Sequence, residues 1–579
     1  MPQRFQLVLA WIGVVVGIAL VGIGFYVEST PQWRLQLLVG LLLLAVLPWM
    51  LIGKQLPLVT RGLARLSLVF IIGFTAVALQ LAREQISQAS VTRERVATLF
   101  QPISTTIPEI ERRPDPADRT SLGTQKVWPV RIDTSQRGHV LSRDNIVITD
   151  VEDGRRIYPD PNVGHIIGFN SRLYGTSGIE ASYGEYLAGM SVLSPTTMLE
   201  SRLLGTPVET SPAGIRLVLD MGLQRVAQNA LGDRKGAVVL LDPRTGAILA
   251  LATYPRFDPN QLMTPDQASE EDVAQVQAAW EQLTSNPDSP LLNRATQGRY
   301  PPGSVIKTLT AAAALDGGVI DGPGAEVTCP NRLPTEAGAP PVRNAVENLD
   351  QRTGDPSDLN RVFAFSCNTA FAQLGLALGP ERFADYAERF GLHYANEEGL
   401  TPDLRDVQAD VGSIATEPAF LEREAALADT AYGQGQALVT PLDMAQMVAV
   451  IANDGKLMRP YIVERVRDSV SQEVLFQREP EVLREVISPQ AAQQMREVMK
   501  QSVEIGYAKP VELPGVSIGA KTGTAEVSSG DPHSWFVAIA PVEQPRFAIA
   551  VIVENGGEGS RSALPVARQV LAAALGVQP

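Results

Sequence analysis

Three apolar runs crowd the first eighty or so residues of this 579-residue chain, and they limit what it can become more than any other feature. Leu7 to Val27 is apolar and carries no charge. Leu35 to Ile52 is interrupted only by Gln36 and Pro48, and Leu66 to Leu81 is a third, shorter run. A membrane span needs roughly 20 apolar residues, with a range of about 17–25. The first two runs meet that length, and the third meets it by borrowing from its flanks. No small-residue cleavage pattern follows Phe25-Tyr26-Val27-Glu28, so the first run reads as a span rather than a removed signal. Loop charges give an orientation. Arg4 precedes the first run, Glu28 and Arg34 follow it, and Lys54, Arg61 and Arg65 lie between the second and third. Positive loops stay in the cytoplasm. Three spans then carry everything after Arg83 outside.

Charge and cysteine content narrow the chemistry. Lys plus Arg is 49 and Asp plus Glu is 63, a formal charge of −14. An acidic chain without basic runs argues against nucleic acid as a partner. The two cysteines, Cys329 and Cys367, rule out a disulfide-dense scaffold and a multi-cysteine metal site. They can pair in an oxidising compartment or stay as two thiols, because sequence does not give distance. Four histidines without a His-x-x-x-His pair make a zinc enzyme unexpected. No metal or cofactor is expected.

From Arg83 to about Thr120 the chain is polar, with Arg112-Arg113-Pro114-Asp115-Pro116, and reads as a stalk. Short β-like runs alternate with Gly and Pro turns from Trp128 to Ser211. After Gly214 the pattern turns α/β: "GAVVLLDPRTGAILALATYP" from Gly236 reads as two strands about the Asp242–Gly246 turn. "FVAIAP" and "RFAIAVIVEN" read as late strands. The expected division is a three-helix membrane anchor over 1–82, a stalk over 83–127, a short β-rich pedestal over 128–215 and a larger domain over 216–579.

"NRATQGRYPPGSVIKTLTAAAAL", from Asn293, places Ser304 just after Pro301, Pro302 and Gly303 and at the start of an alanine-rich helix. Lys307 follows three residues later. Residues i and i+3 are helical neighbours, so a neutral amine there can take the serine proton. A Ser-x-x-Lys spacing arises by chance about once in a chain this long, so alone it decides nothing. Two further stretches change that: "FAFSCNTAFAQLG", with Ser366 and Asn368, and "GAKTGTAEV", with Lys521, Thr522, Gly523 and Thr524. Ser366–Asn368 could be a helix cap and Lys521–Thr524 a strand edge. Each pattern occurs once, and all three stand well separated in this order.

On those residues the chain resembles the penicillin-binding transpeptidases, specifically the class B high-molecular-weight type without a glycosyltransferase domain. The resemblance runs from about Arg137 to the C-terminus. It takes in "AYGQGQALVTPLDMAQ" from Ala431, "HSWFVAIAP", and, upstream, "RGHVLSRDN" and "GTSGIEASYGEYLAG". The pedestal is shorter than in relatives with a large head subdomain, and three spans depart from the usual one. The resemblance implies a penicillin-binding, serine β-lactamase-like domain with a central antiparallel sheet flanked by helices. It makes Ser304 the nucleophile on the D-Ala–D-Ala carbonyl of a peptidoglycan stem peptide. Lys307 is its base, with a pKa lowered by desolvation and by the positive charge of Lys521. Ser366 relays a proton and Asn368 holds the substrate amide. Thr522 and Thr524 bind the terminal carboxylate beside Gly523, and the backbone N–H groups of Ser304 and Thr524 form the oxyanion hole. β-Lactams would acylate Ser304.

The resemblance further implies a bacterial cytoplasmic membrane protein with its catalytic domain extracytoplasmic, in contact with membrane lipid and a RodA/FtsW-type glycosyltransferase. A serine β-lactamase shares the three motifs but needs a deacylating base, and none stands out. A non-enzymatic β-lactam sensor or divisome scaffold on the same fold is the rival from another class. Trp535 reads as core rather than as a substrate platform.

Overall fold

The protein is represented by a computed structural model that describes residues 137–152, 155–189, 212–265, 268–528 and 530–578, with scattered residues between 14 and 75. The chain divides into two units, Met1–Thr105 and Thr106–Pro579. In the first unit the described residues are helical, and Leu37 and Leu41 are buried against Val21, Leu44 and Ile72. Among the described residues no helix is long and apolar enough to cross a membrane. Most of the three apolar runs, and the stalk expected over 83–127, lie outside the described residues.

Two sheets organise the second unit. The first contains β1 (Val140–Leu141), β2 (Val147–Glu152), β3 (Arg155–Ile157) and β4 (Ala213–Leu217). The second contains β5 (Gly236–Leu241) and β6 (Ile248–Tyr254). The chain then returns to the first sheet with β7 (Val463–Asp468) and β8 (Val474–Gln477), and completes the second with β9 (Gly519–Ala525), β10 (His533–Ala540) and β11 (Phe547–Val553). The six-stranded order is β8-β7-β4-β1-β2-β3. The first sheet is therefore finished by strands from the stretch that the sequence places in the larger domain.

Beside that sheet, Glu180 is fully buried between two guanidiniums, with Arg137 Nε and Arg156 Nε each 2.6 Å from its carboxylate. Burial pushes the Glu180 carboxyl up, but the Arg156 and Arg137 charges outweigh it and hold it below its usual 4.5. Tyr183 OH donates to Asp406 Oδ1 at 2.7 Å, and Asp406 Oδ2 accepts from the backbone N–H groups of Ile462 and Val463. One carboxylate thus joins the pedestal helices to the chain entering β7.

The second sheet is antiparallel throughout, in the order β9-β10-β11-β5-β6. Its strands are apolar on both faces, as expected of a sheet covered on both sides. Val238, Leu240, Phe536, Ala538, Ile549 and Val551 face one core, which includes residues of α1 (Met221–Leu231). Ala237, Val239, Leu241, Val537, Ile539 and Ala550 face the other, built on the helices that follow in sequence. These are α2 (Lys307–Asp316), α3 (Leu359–Ala364), α4 (Asn368–Leu378), α5 (Pro441–Ala452) and α6 (Pro489–Glu504). The terminal helix α7 (Ala563–Leu575) closes the first core beside α1. Full burial of each large apolar side chain is worth about 1.5–3 kcal/mol, so both layers hold the sheet firmly.

Helix α5 starts with a capping box: Thr440 Oγ1 accepts from Asp443 N, Asp443 Oδ2 accepts from Thr440 N, and Pro441 occupies the first turn. The arrangement leaves β9, which carries Lys521 to Thr524, as an edge strand of the sheet, with β6 at the other edge.

Candidate active site

The stretch before Ser304 is pinned from three sides. Tyr300 exchanges backbone hydrogen bonds with Val439, and its hydroxyl donates to Glu554 Oε1, which also accepts from Arg294 Nε, both at 2.7 Å. Trp535 is fully buried, as expected, and its indole Nε1 donates to Pro301 O at 2.9 Å. The core residue is also a strut under the serine loop. Gly303 follows at φ +53°, where a Cβ would lie 2.4 Å from Thr524 O. Gly523 meets the same turn from β9: its Cβ would sit 2.9 Å from Val305 Cγ1. Only glycines let the serine turn lie this close to β9.

Ser304 lies in a 3₁₀ turn, Gly303–Ile306, that continues into α2 at Lys307. The sequence predicts a helix start, and the 3₁₀ form adds alignment, because side chains at i and i+3 eclipse one another. Helix α2 is buried from Lys307 to Leu315, which carries the lysine out of solvent. Ser366 occupies the turn between α3 and α4, and Asn368 opens α4.

These side chains converge. Lys307 Nζ lies 3.1 Å from Ser304 Oγ, 3.0 Å from Ser366 Oγ, 2.8 Å from Ser366 O and 2.6 Å from Asn368 Oδ1. Lys521 Nζ lies 3.0 Å from Ser366 Oγ and donates to Thr522 O at 2.9 Å. A polar chain therefore runs Ser304, Lys307, Ser366, Lys521. Thr522 is buried and Thr524 half-buried, both on the edge strand. The structure thus brings together the side chains of Ser304, Lys307, Ser366, Asn368 and Lys521, with Thr522, Gly523 and Thr524 following Lys521 along β9.

The electrostatics follow from burial. Both lysines are fully buried, and neither forms an ion pair among the described residues. Desolvation, then the charge of Lys521, pushes the Lys307 pKa well below 10.5. Desolvation pulls Lys521 down to about 7, further from the charged form than sequence alone predicts. Lys307 Nζ has four oxygen partners. A charged ammonium has three protons to give and no lone pair. A neutral amine gives two, to Asn368 Oδ1 and Ser366 O, and accepts with its lone pair from a hydroxyl. The Ser304 and Ser366 hydroxyls, at 3.1 and 3.0 Å, are both within reach of that lone pair. Aromatic rings floor both amines, Phe371 at 5.6 Å from Lys307 Nζ and Phe363 at 5.5 Å from Lys521 Nζ.

Behind the Ser366 turn, Cys329 and Cys367 form a disulfide, with Cα atoms 6.2 Å apart. A cavity of about 260 Å³ lined by His393, Asp403, Asp443 and Arg484 contains none of the motif residues. Among the described residues no cluster of His, Cys, Asp or Glu could hold a metal.

The family model described as the penicillin binding protein transpeptidase domain matches residues 236–572. The peptidoglycan D,D-transpeptidase PbpA of Mycolicibacterium smegmatis is 35% identical over 468 residues, covering 76% of this chain and 89% of the relative. The chain belongs to the penicillin-binding transpeptidase family.

Two solved structures agree. Penicillin-binding protein A of M. tuberculosis as its ceftriaxone acyl-enzyme superposes with a TM-score of 0.66 at 31% identity, over 76% of this chain and 99% of that one. Its penicillin G acyl-enzyme gives 0.65 at the same identity and coverage. Against this penicillin-binding transpeptidase, sequence reasoning missed Gly303 and the structural use of Trp535. A glycine just before a candidate nucleophile was the one available signal for the first. Nothing in the sequence paired the Trp535 indole with the Pro301 carbonyl 234 residues away. It also missed Phe363 and Phe371, which look like ordinary core positions.

Proposed function

We propose that this chain is a membrane-anchored peptidoglycan D,D-transpeptidase working through an acyl-serine at Ser304. The observation that carries the role of Ser304 is a fully buried Lys307 Nζ only 3.1 Å from Ser304 Oγ, within reach of its proton once the amine is neutral. Ser304 Oγ attacks the carbonyl carbon of the penultimate D-Ala as its proton passes to Lys307 Nζ. The oxyanion that forms accepts from the backbone N–H groups of Ser304 and Thr524, each worth about 2.7–4 kcal/mol in comparable sites. As the C–N bond breaks, the leaving D-Ala amine takes the proton from Lys307 by way of Ser366. An acceptor amine on a neighbouring stem then attacks the ester, its proton returns along the same route, and Ser304 is released. Asn368 holds the donor peptide's amide. Thr522 and Thr524 bind its carboxylate, helped by whatever charge Lys521 keeps. The free edge of β9 suits this role, because an extended peptide can add to it as a strand. β-Lactams, which mimic the D-Ala–D-Ala end, acylate the same oxygen.

The test is labelling with a fluorescent penicillin, followed by adduct turnover. Wild type should label and hold the adduct, and Ser304→Ala should not label. Rapid release would indicate a β-lactamase, and no labelling of wild type a sensor or scaffold. No carboxylate contacts Ser304 or Lys307 among the described residues, which favours a stable adduct.

The division 1–82, 83–127, 128–215 and 216–579, with the catalytic unit outside the cytoplasmic membrane and lipid around the anchor, is part of this proposal. The Cys329–Cys367 bond supports it, because disulfides persist in oxidising compartments. A cysteine placed near Thr120 should react with an impermeant thiol reagent before lysis, and protection until lysis would refute the orientation. By its resemblance to the class B type, the chain is read as the partner of a RodA/FtsW-type polymerase.

A further inference from the structure

The turn that carries Ser366 is strained. Ser366 sits at φ +59°, a left-handed conformation that costs a non-glycine residue roughly 1–2 kcal/mol. Such strain persists only where the surroundings over-determine the backbone. The turn's own hydrogen bonds are Ser366 N to Phe363 O at 3.1 Å and Cys367 N to Val362 O at 2.8 Å. Lys307 Nζ holds Ser366 O from the front at 2.8 Å, and a further hold comes from behind, from an excursion between α2 and α3. There Glu326–Val327 pairs with Ser357–Asp358, and Arg332–Leu333 pairs with Val342–Arg343. The excursion has few buried apolar side chains, among them Val327, Val342 and Leu349. It is fastened where Cys329 bonds to Cys367, between Ser366 and Asn368. Both cysteines are fully buried. Cys329 N is held by Asp355 Oδ1 at 3.2 Å. One residue beyond Asn368, Thr369 Oγ1 donates to Pro330 O at 2.7 Å. Asn368 Nδ2 donates to Arg343 O at 2.9 Å, leaving its Oδ1 aimed at Lys307 Nζ.

We propose that the Cys329–Cys367 bond, with the Thr369–Pro330 contact beside it, is a positioning clamp for the reaction, holding Ser366 and Asn368 on Lys307. Cys329, Cys367 and Thr369 act through the Ser366-Cys367-Asn368 turn and touch no reacting atom. Without the bond, the left-handed turn can relax and the oxygens of Ser366 and Asn368 move off Lys307 Nζ. The neutral amine then loses the acceptors that orient its lone pair. A misplacement of about 1 Å costs on the order of 10²-fold in such geometries. The proposal rests on the acyl-serine reading given above.

The test compares wild type with the double variant Cys329→Ala/Cys367→Ala, well below both melting temperatures. Acylation by a penicillin is followed as a function of its concentration, which separates reversible binding from the chemical step. The expected result is a chemical step slowed about 10- to 100-fold with the half-saturating concentration little changed. A bond that merely stabilises the fold would lower the melting temperature and leave the step at the wild-type rate, and that result overturns the clamp. If the double variant does not fold, Thr369→Val serves in its place. It keeps the disulfide but loses the Thr369 hydroxyl on Pro330 O, where the Asn344 Nδ2 contact at 3.2 Å remains, and it must slow the same step. A wild-type rate there overturns the proposal equally. Failure of wild type itself to acylate would strike the acyl-serine reading instead.

Discussion

Lys307 and Lys521 both end 3.0 Å from the Ser366 hydroxyl, yet they should respond differently to substitution. Lys307 must lose a proton to act, and a guanidinium does not deprotonate in proteins. Lys307→Arg should therefore acylate about 10²–10⁴-fold more slowly, the usual worth of general-base help. Lys521→Arg should cost less, since it supplies a cation where Lys521, with a pKa of about 7, is only partly charged. Near-wild-type acylation by Lys307→Arg would remove that residue as the base. The pH profile has a definite sign. Lys307 is active when neutral, so acylation falls as pH falls through its folded pKa, which burial and Lys521 hold well below 10.5. Replacing Lys521 by Met removes one of those two causes. The acid limb of the profile should then move to higher pH, and a limb that stays in place would show that Lys521 does not act on Lys307.

At the scale of elements, catalysis depends on how closely the 3₁₀ turn approaches β9. Gly303→Ala would incur the left-handed cost of about 1–2 kcal/mol and set a methyl 2.4 Å from Thr524 O. We expect acylation to fall by about 10²-fold while far-UV dichroism stays native, because the clash acts at the serine turn and not in the sheet. Trp535→Phe makes the complementary point. It keeps an aromatic ring in the core but removes the donor to the half-buried Pro301 O, a loss of about 0.5–1.5 kcal/mol for one hydrogen bond. Its denaturation midpoint should fall accordingly, and an unchanged midpoint would mean that water replaces the indole.

Over the whole second unit, a buried charge cluster stands beside apolar burial at the six-stranded sheet. Glu180→Gln leaves Arg137 and Arg156 facing each other without a counter-charge, and breaking a buried pair costs about 3–5 kcal/mol. Because the folded Glu180 pKa lies below 4.5, its stabilisation is complete above the ordinary carboxylate range and is lost as pH falls through the folded value. The variant should be less stable at pH 7 and should lose less stability than wild type on acidification. Equal stability at pH 7, measured in urea, would show that the pedestal does not need the charge.

Sequence alone determined the chemistry and its order along the chain. Ser304–Lys307, Ser366–Asn368 and Lys521–Thr524 are short patterns whose residue types the reaction demands, so they stay legible without a fold. The strands β5, β6, β10 and β11 were legible too, because sheets covered on both faces write continuous apolar runs. Only tertiary structure decided what depends on distance between remote residues. It joined Cys329 to Cys367, set the Trp535 indole on the Pro301 carbonyl, and completed the six-stranded sheet with β7 and β8. It also buried Lys521 deeply enough to bring its pKa to about 7. Hydrophobic periodicity reports which face of an element is buried, but not what lies against that face, and desolvation and pairing depend on the latter.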